Sequence, residues 1–163
     1  MVQLSEWQTL LAVEAGAAAT LTGLVFIAVS LNLSRILTIA GLTGRAGESL
    51  VQFLQIFFVA SFALIPGQRA PMLGIEILVV SLFSWAVQIT GQIRYARSRS
   101  GHPRSWLVIR VVMSQFATLP FCIAGVLLLL GNAAGMYWLV PGFVFSFAAG
   151  VVSAWVLLVE ILR

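Results

Sequence analysis

Five stretches of this chain are each long and apolar enough to cross a lipid bilayer, and they leave little sequence for anything else. A hydrocarbon core about 30 Å thick asks for roughly 20 mainly apolar residues in a helix rising 1.5 Å per residue. Residues 7–33, 48–65, 72–93, 106–130 and 136–162 meet that demand. Of the 163 residues, 61% are hydrophobic and 9% charged. A soluble domain has ≈ 45–50% and ≈ 25% respectively, so this chain has too few polar side chains to clothe its apolar surface in water. That excludes an ordinary soluble enzyme, a disordered chain and a nucleic-acid-binding domain. The expected fold is an all-α integral membrane protein, a bundle of five transmembrane helices in a single domain over residues 1–163, with the bilayer as its first partner.

The segment ends carry chemical stops. Ser5 with Gln8 fits a capping box that opens the first helix. Pro66 and Gly67 close the second, Pro71 opens the third, and Gly131-Asn132 closes the fourth. The opening residues Met1 to Glu6 include no basic residue, which argues against a cleaved secretory signal and for retention of the first segment. Threading follows from arginine, because all nine basic residues are Arg. Arg94, Arg97, Arg99 and Arg104 crowd the third connection, with Arg110 just beyond. Putting that loop in the cytoplasm brings Arg35, Arg45 and Arg163 inside too and leaves Arg69 outside. The N-terminus is then outside and the C-terminus cytoplasmic. Trp7, Tyr137 and Trp138 would mark the outer interface, and Tyr95 and Trp106 the inner one. The same four arginines, Arg94, Arg97, Arg99 and Arg104, suit contact with anionic lipid headgroups.

In lipid, helices associate through close packing and polar contacts. Gly142, Ser146, Gly150 and Ala154 recur every four residues and form a helix-packing stripe on span five, used within the bundle or as the seam of a homo-oligomer. Ala12, Gly16, Ala19 and Gly23 make a shorter stripe on span one. Pro120 should kink span four and free the Phe116 carbonyl, with Thr118 at hand to satisfy it.

Polar groups inside a bilayer are costly and face partners or a wet cavity. At 100° per residue, Glu48, Gln52 and Gln55 share one face of span two. Ser81, Ser84, Gln88 and Gln92 share one face of span three, and Arg110, Ser114 and Thr118 one face of span four. Asn32 and Glu160 close the inner ends of spans one and five. Five helices thus offer a polar belt to one inner slab, with Arg110 expected to pair with Glu48 or Glu160. The belt has a structural reading, amides joining helices, and a functional one, a water-filled vestibule open to the cytoplasm. In the outer leaflet, Glu14 and Glu76 are carboxylates at depth. Glu76 is expected to pair with Arg69 across the tight turn, and Glu14 is a candidate for proton or cation binding.

Recognisable catalytic chemistry is missing. One His, His102, cannot supply bis-histidine haem ligation or an HExxH zinc site. There is no Asp for a triad or dyad, and no GxSxG or P-loop. No catalytic residue, metal or cofactor is assigned, and an enzyme is not expected. Cys122 reads as core filling.

Ser30-Leu31-Asn32-Leu33-Ser34-Arg35-Ile36-Leu37, Gly44-Arg45-Ala46-Gly47-Glu48, Pro66-Gly67-Gln68 and Leu73-Gly74-Ile75-Glu76 together resemble a group of small, uncharacterised bacterial membrane proteins, some labelled modulators of the FtsH membrane protease. The resemblance covers the first half of the chain. It implies a bacterial inner (plasma) membrane and carries no catalytic residues across. Two functions are expected to compete: a channel or transporter-like protein with a polar cytoplasmic-side vestibule, and a non-enzymatic accessory or regulatory subunit of another membrane protein.

Overall fold

A computed structural model describes residues 4–38, 42–97 and 104–162. A 3-10 turn, Leu4–Trp7, leads into α1 (Gln8–Leu31), followed by a short α2 (Leu33–Thr38) and four long helices. These are α3 (Leu42–Ala63), α4 (Ala70–Arg97), α5 (Arg104–Leu129) and α6 (Gly135–Leu162). No strand occurs among the described residues. Among the described residues, five helices, α1 and α3 to α6, are long and apolar enough to span a bilayer.

Local chemistry accounts for most of the ends. Gly131 adopts φ 76° after α5, with its N–H on the Leu128 carbonyl and the Asn132 N–H on that of Leu127. This Schellman arrangement needs a residue free of Cβ at the left-handed position. Gly67, at φ 71°, takes the left-handed position in the turn after α3. Two ends differ from the sequence expectation. Trp7, not Ser5, is the N-cap of α1, at φ −94° and ψ −12° with no side-chain cap. The chain enters from the 3-10 turn with dihedrals already helical, so the extended N-cap that a capping box requires does not form. Helix α3 begins at Leu42 rather than Glu48, because Leu42 and Ala46 bury against Ile36 and Leu157 and draw the Gly44-Arg45 turn into the helix.

The helices close into a ring of four with one outside it. Helix α3 packs on α4, α4 on α5, α5 on α6, and α6 back on α3, while α1 lies against the outer side of α3. The Trp7 and Tyr137 rings meet edge to face at 5.0 Å, which brings the starts of α1 and α6 to the same end. We call that the Pro66 end and its opposite the arginine-rich end. Helix α2 packs its buried Ile36 at the arginine-rich end, beside Leu42 and Leu157.

Glycines set the closest contacts. A Cβ on Gly74 of α4 would stand 2.5 Å from the Leu129 amide nitrogen and 2.7 Å from the Gly125 carbonyl oxygen of α5, so these two backbones touch. On α6, a Cβ on Gly142 would meet the Phe121 ring at 2.8 Å, and one on Gly150 the Phe53 ring at 2.6 Å. Ser146, between them, donates to the Ala117 carbonyl at 3.0 Å. The span-five stripe is therefore filled by this chain's own α3 and α5. The span-one stripe is not: Ala12, Gly16, Ala19 and Gly23 are all exposed, and no described residue lies within 4 Å of a Cβ at Gly16 or Gly23.

Candidate functional site

The interior of the ring changes character along its axis. Toward the Pro66 end it is apolar, built from Val59, Ala60, Leu73, Ile77, Phe121, Leu128 and Leu139. Toward the arginine-rich end it is polar: Glu48, Gln52, Gln55, Ser84, Gln88, Gln92, Ser114, Thr118 and Ser146 are all buried. Sequence spacing put these residues on shared faces, and antiparallel packing brings the faces of α3, α4 and α5 together.

They form a ladder of cross-helix bonds. Nearest the arginine-rich end, Arg110 Nε of α5 donates to both carboxylate oxygens of Glu48 on α3, at 2.7 and 2.9 Å. Both side chains are nearly buried, 10% and 8% exposed. Next, Gln92 Nε2 of α4 donates to Ser114 Oγ of α5 at 2.8 Å. Deeper, Gln52 Nε2 donates to Gln88 Oε1 at 3.3 Å, and Gln88 Nε2 to Thr118 Oγ1 at 3.4 Å, joining α3, α4 and α5. Ser146 Oγ adds α6 to the ladder by donating to the Ala117 carbonyl of α5. Each bond spares a polar group the cost of standing alone in a low-dielectric interior.

The ladder is not fully satisfied. Gln52 Oε1 and both amide atoms of Gln55 are buried with no hydrogen-bond partner among the described residues. Beside the first rungs lies a cavity of about 90 Å³. Arg45, Glu48, Gln52, Arg110, Ser114 and Ser153 give it polar walls, and Ile109, Met113, Val152 and Val156 apolar ones. A polar site needs about 10–15 Å³ to hold one water, so water fits here.

Several sequence candidates fall elsewhere. Asn32 donates to the Ala28 carbonyl of its own helix at 2.9 Å and also ends α1, so it does not join the ladder. Ser81 is fully buried but donates to Ile77 on its own helix. Glu76 takes its hydrogen bond from Gln68, not Arg69; Gln68 sits in the turn and reaches the carboxylate, while Arg69 is exposed. Glu14 is half-buried on α1, outside the ring. Thr118 accepts from Gln88, and the donor beside the Pro120 turn is Ser146 of α6. Arg94 and Arg97 are exposed at the last turn of α4. Arg99 and His102 lie outside the described residues, as do the side chains of Arg104, Tyr95, Trp106 and Glu160. Sequence reasoning passed over Arg45 as a site residue, although its place three residues before Glu48 puts both on one face. It also passed over the bond from Trp85 Nε1 to Gln115 Oε1 at 3.0 Å, which ties α4 to α5.

No family model, curated protein or solved structure matches this chain. The functional reading therefore rests on its geometry.

Proposed function

We propose that this small multi-pass membrane protein is channel or transporter-like, with a hydrated polar vestibule entered from the arginine-rich, cytoplasmic side. The observation that carries the reading is the cavity lined by Arg45, Glu48, Gln52, Arg110 and Ser114, with Gln52 Oε1 buried there and unpartnered among the described residues. A bundle that needed polar residues only as fasteners has no use for an acceptor such as Gln52 Oε1 left open beside a void. The apolar half of the ring, closed by Phe121, Ile77 and Leu139, then acts as the barrier that movement must open. In this reading Glu48 and Arg110 set the charge of the vestibule, and Gln52, Gln55 and Gln88 line its depth.

Cysteine accessibility tests it. In a Cys122→Ala background, Gln52→Cys, Gln55→Cys and Gln88→Cys are exposed to a charged methanethiosulfonate in intact membranes. Leu82→Cys, at a lipid-facing site, is the unreactive control. Reaction from the cytoplasmic face supports the vestibule; inertness of all three removes it.

One observation favours the accessory reading. The small-residue face of α1 is left open in the monomer, and such a face lets another helix backbone approach closely. It serves a second copy, giving a homo-oligomer, or another membrane protein such as a protease. Gly16→Leu with Gly23→Leu should then lower the mass of the particle seen in lipid nanodiscs. An unchanged mass excludes that face as the seam.

A further inference from the structure

A second recess opens on the lipid-facing flank of the ring, between α3 and α4. It has a volume of about 340 Å³ and is walled by Leu54, Phe58, Phe62, Val79 and Phe83, with Gln55 and Ser84 buried at its base. Ser84 stands about 20 Å from either end of α4, so the recess sits near the middle of the bilayer. Phe58 and Phe62 stack at 6.1 Å and 24° to make an aromatic wall, and Phe83 is 69% exposed. Gln55 has no exposed surface, and neither its Nε2 nor its Oε1 has a partner among the described residues. A side-chain amide orphaned at this depth is costly, since hydrocarbon offers it nothing.

We propose that this recess binds a neutral, membrane-soluble molecule bearing a flat ring with a carbonyl or hydroxyl oxygen, in its simplest form a quinone or quinol. A charged head is excluded by the depth. An acyl chain would fill the space and leave the amide orphaned. Phospholipid headgroups lie about 15 Å away, at the edge of the hydrocarbon core. A ring stacks on the phenylalanines, a ring carbonyl accepts from Gln55 Nε2, and a ring hydroxyl donates to Oε1. The terminal torsion of a glutamine is soft, so a small rotation presents either atom to the recess. A second copy docked here would bring Phe83 and Val79 against the opening, and neither carries a polar atom for Gln55.

The recess and the arginine-rich cavity share no lining residue; Gln55 alone enters both readings, so Gln52→Cys and Gln88→Cys test the vestibule independently of the recess. The test uses the full chain in phosphatidylcholine nanodiscs, with decyl-ubiquinone as the probe and tryptophan fluorescence quenching as the readout. Saturable quenching is expected, with decylbenzene a weaker competitor because it lacks the ring oxygens. Gln55→Leu should weaken binding about three- to eighteenfold, the range of intramembrane hydrogen bonds, while melting at or above the parent temperature. Val79→Trp should block the recess. Absence of saturable quenching, equal affinity for the probe in Gln55→Leu, or disulfide-linked dimers through Val79→Cys would each overturn the assignment.

Discussion

Removing one member of the Glu48–Arg110 pair should harm the protein more than removing both. The carboxylate and guanidinium meet at 2.7 and 2.9 Å, near the edge of the cavity, and are 8% and 10% exposed. With charge centres about 4 Å apart, their attraction is about 4 kcal/mol at an effective dielectric of 20 and about 1 kcal/mol in bulk water. Near burial places the pair toward the first figure, and water in the adjoining cavity pulls it toward the second. A coupling of about 2–4 kcal/mol is expected. Glu48→Gln alone leaves a nearly buried guanidinium without its carboxylate, and breaking a buried pair from one side costs about 3–5 kcal/mol, less where cavity water reaches the charge. Glu48→Met with Arg110→Met replaces the pair with apolar groups and should recover much of the loss, as buried pairs exchanged for packed side chains often do. The assay is a double-mutant cycle by reversible unfolding in mixed micelles, which isolates the pairwise term even where Arg110 has further contacts. Strictly additive single and double variants, with coupling below about 1 kcal/mol, would show the pair solvated as in bulk water and refute the buried geometry.

Four further outcomes follow from the packing. Gly74→Val or Gly125→Val forces α4 and α5 apart where their backbones touch and should cost about 1–3 kcal/mol in the same unfolding assay. Gly16→Ala, with open space around it, should leave stability unchanged or raise it by up to about 1 kcal/mol, because alanine loses less backbone freedom in a helix. Ser146→Ala removes the bond to Ala117 and should cost about 0.6–1.7 kcal/mol; no change would mean that α6 is not fastened to α5 there. Gly150→Val should displace the Phe53 ring and lower the melting temperature, and Phe53→Leu should relieve that clash in the double variant.

The sequence alone determined that the chain is a membrane bundle, because hydrophobic runs of bilayer length have no other stable environment. It also put Glu48, Gln52 and Gln55 on one face of α3, and Ser84, Gln88 and Gln92 on one face of α4, since helical periodicity is a local property. Which faces meet is not local. That Arg110 pairs with Glu48, that Gln68 rather than Arg69 holds Glu76, and that Ser146 serves α5 beside Pro120 all depend on how the helices are arranged around the ring. The two small-residue stripes make the same point. Their spacing is alike, yet Phe53 and Phe121 fill the one on α6 while the one on α1 is open, because α6 is a member of the ring and α1 packs outside it. Gln55 was legible as a polar residue at depth, but only the packing of α3 against α4 left it at the base of an aromatic recess with no partner among the described residues. Periodicity fixes the direction of a side chain on its own helix, and the neighbour it meets depends on long-range packing.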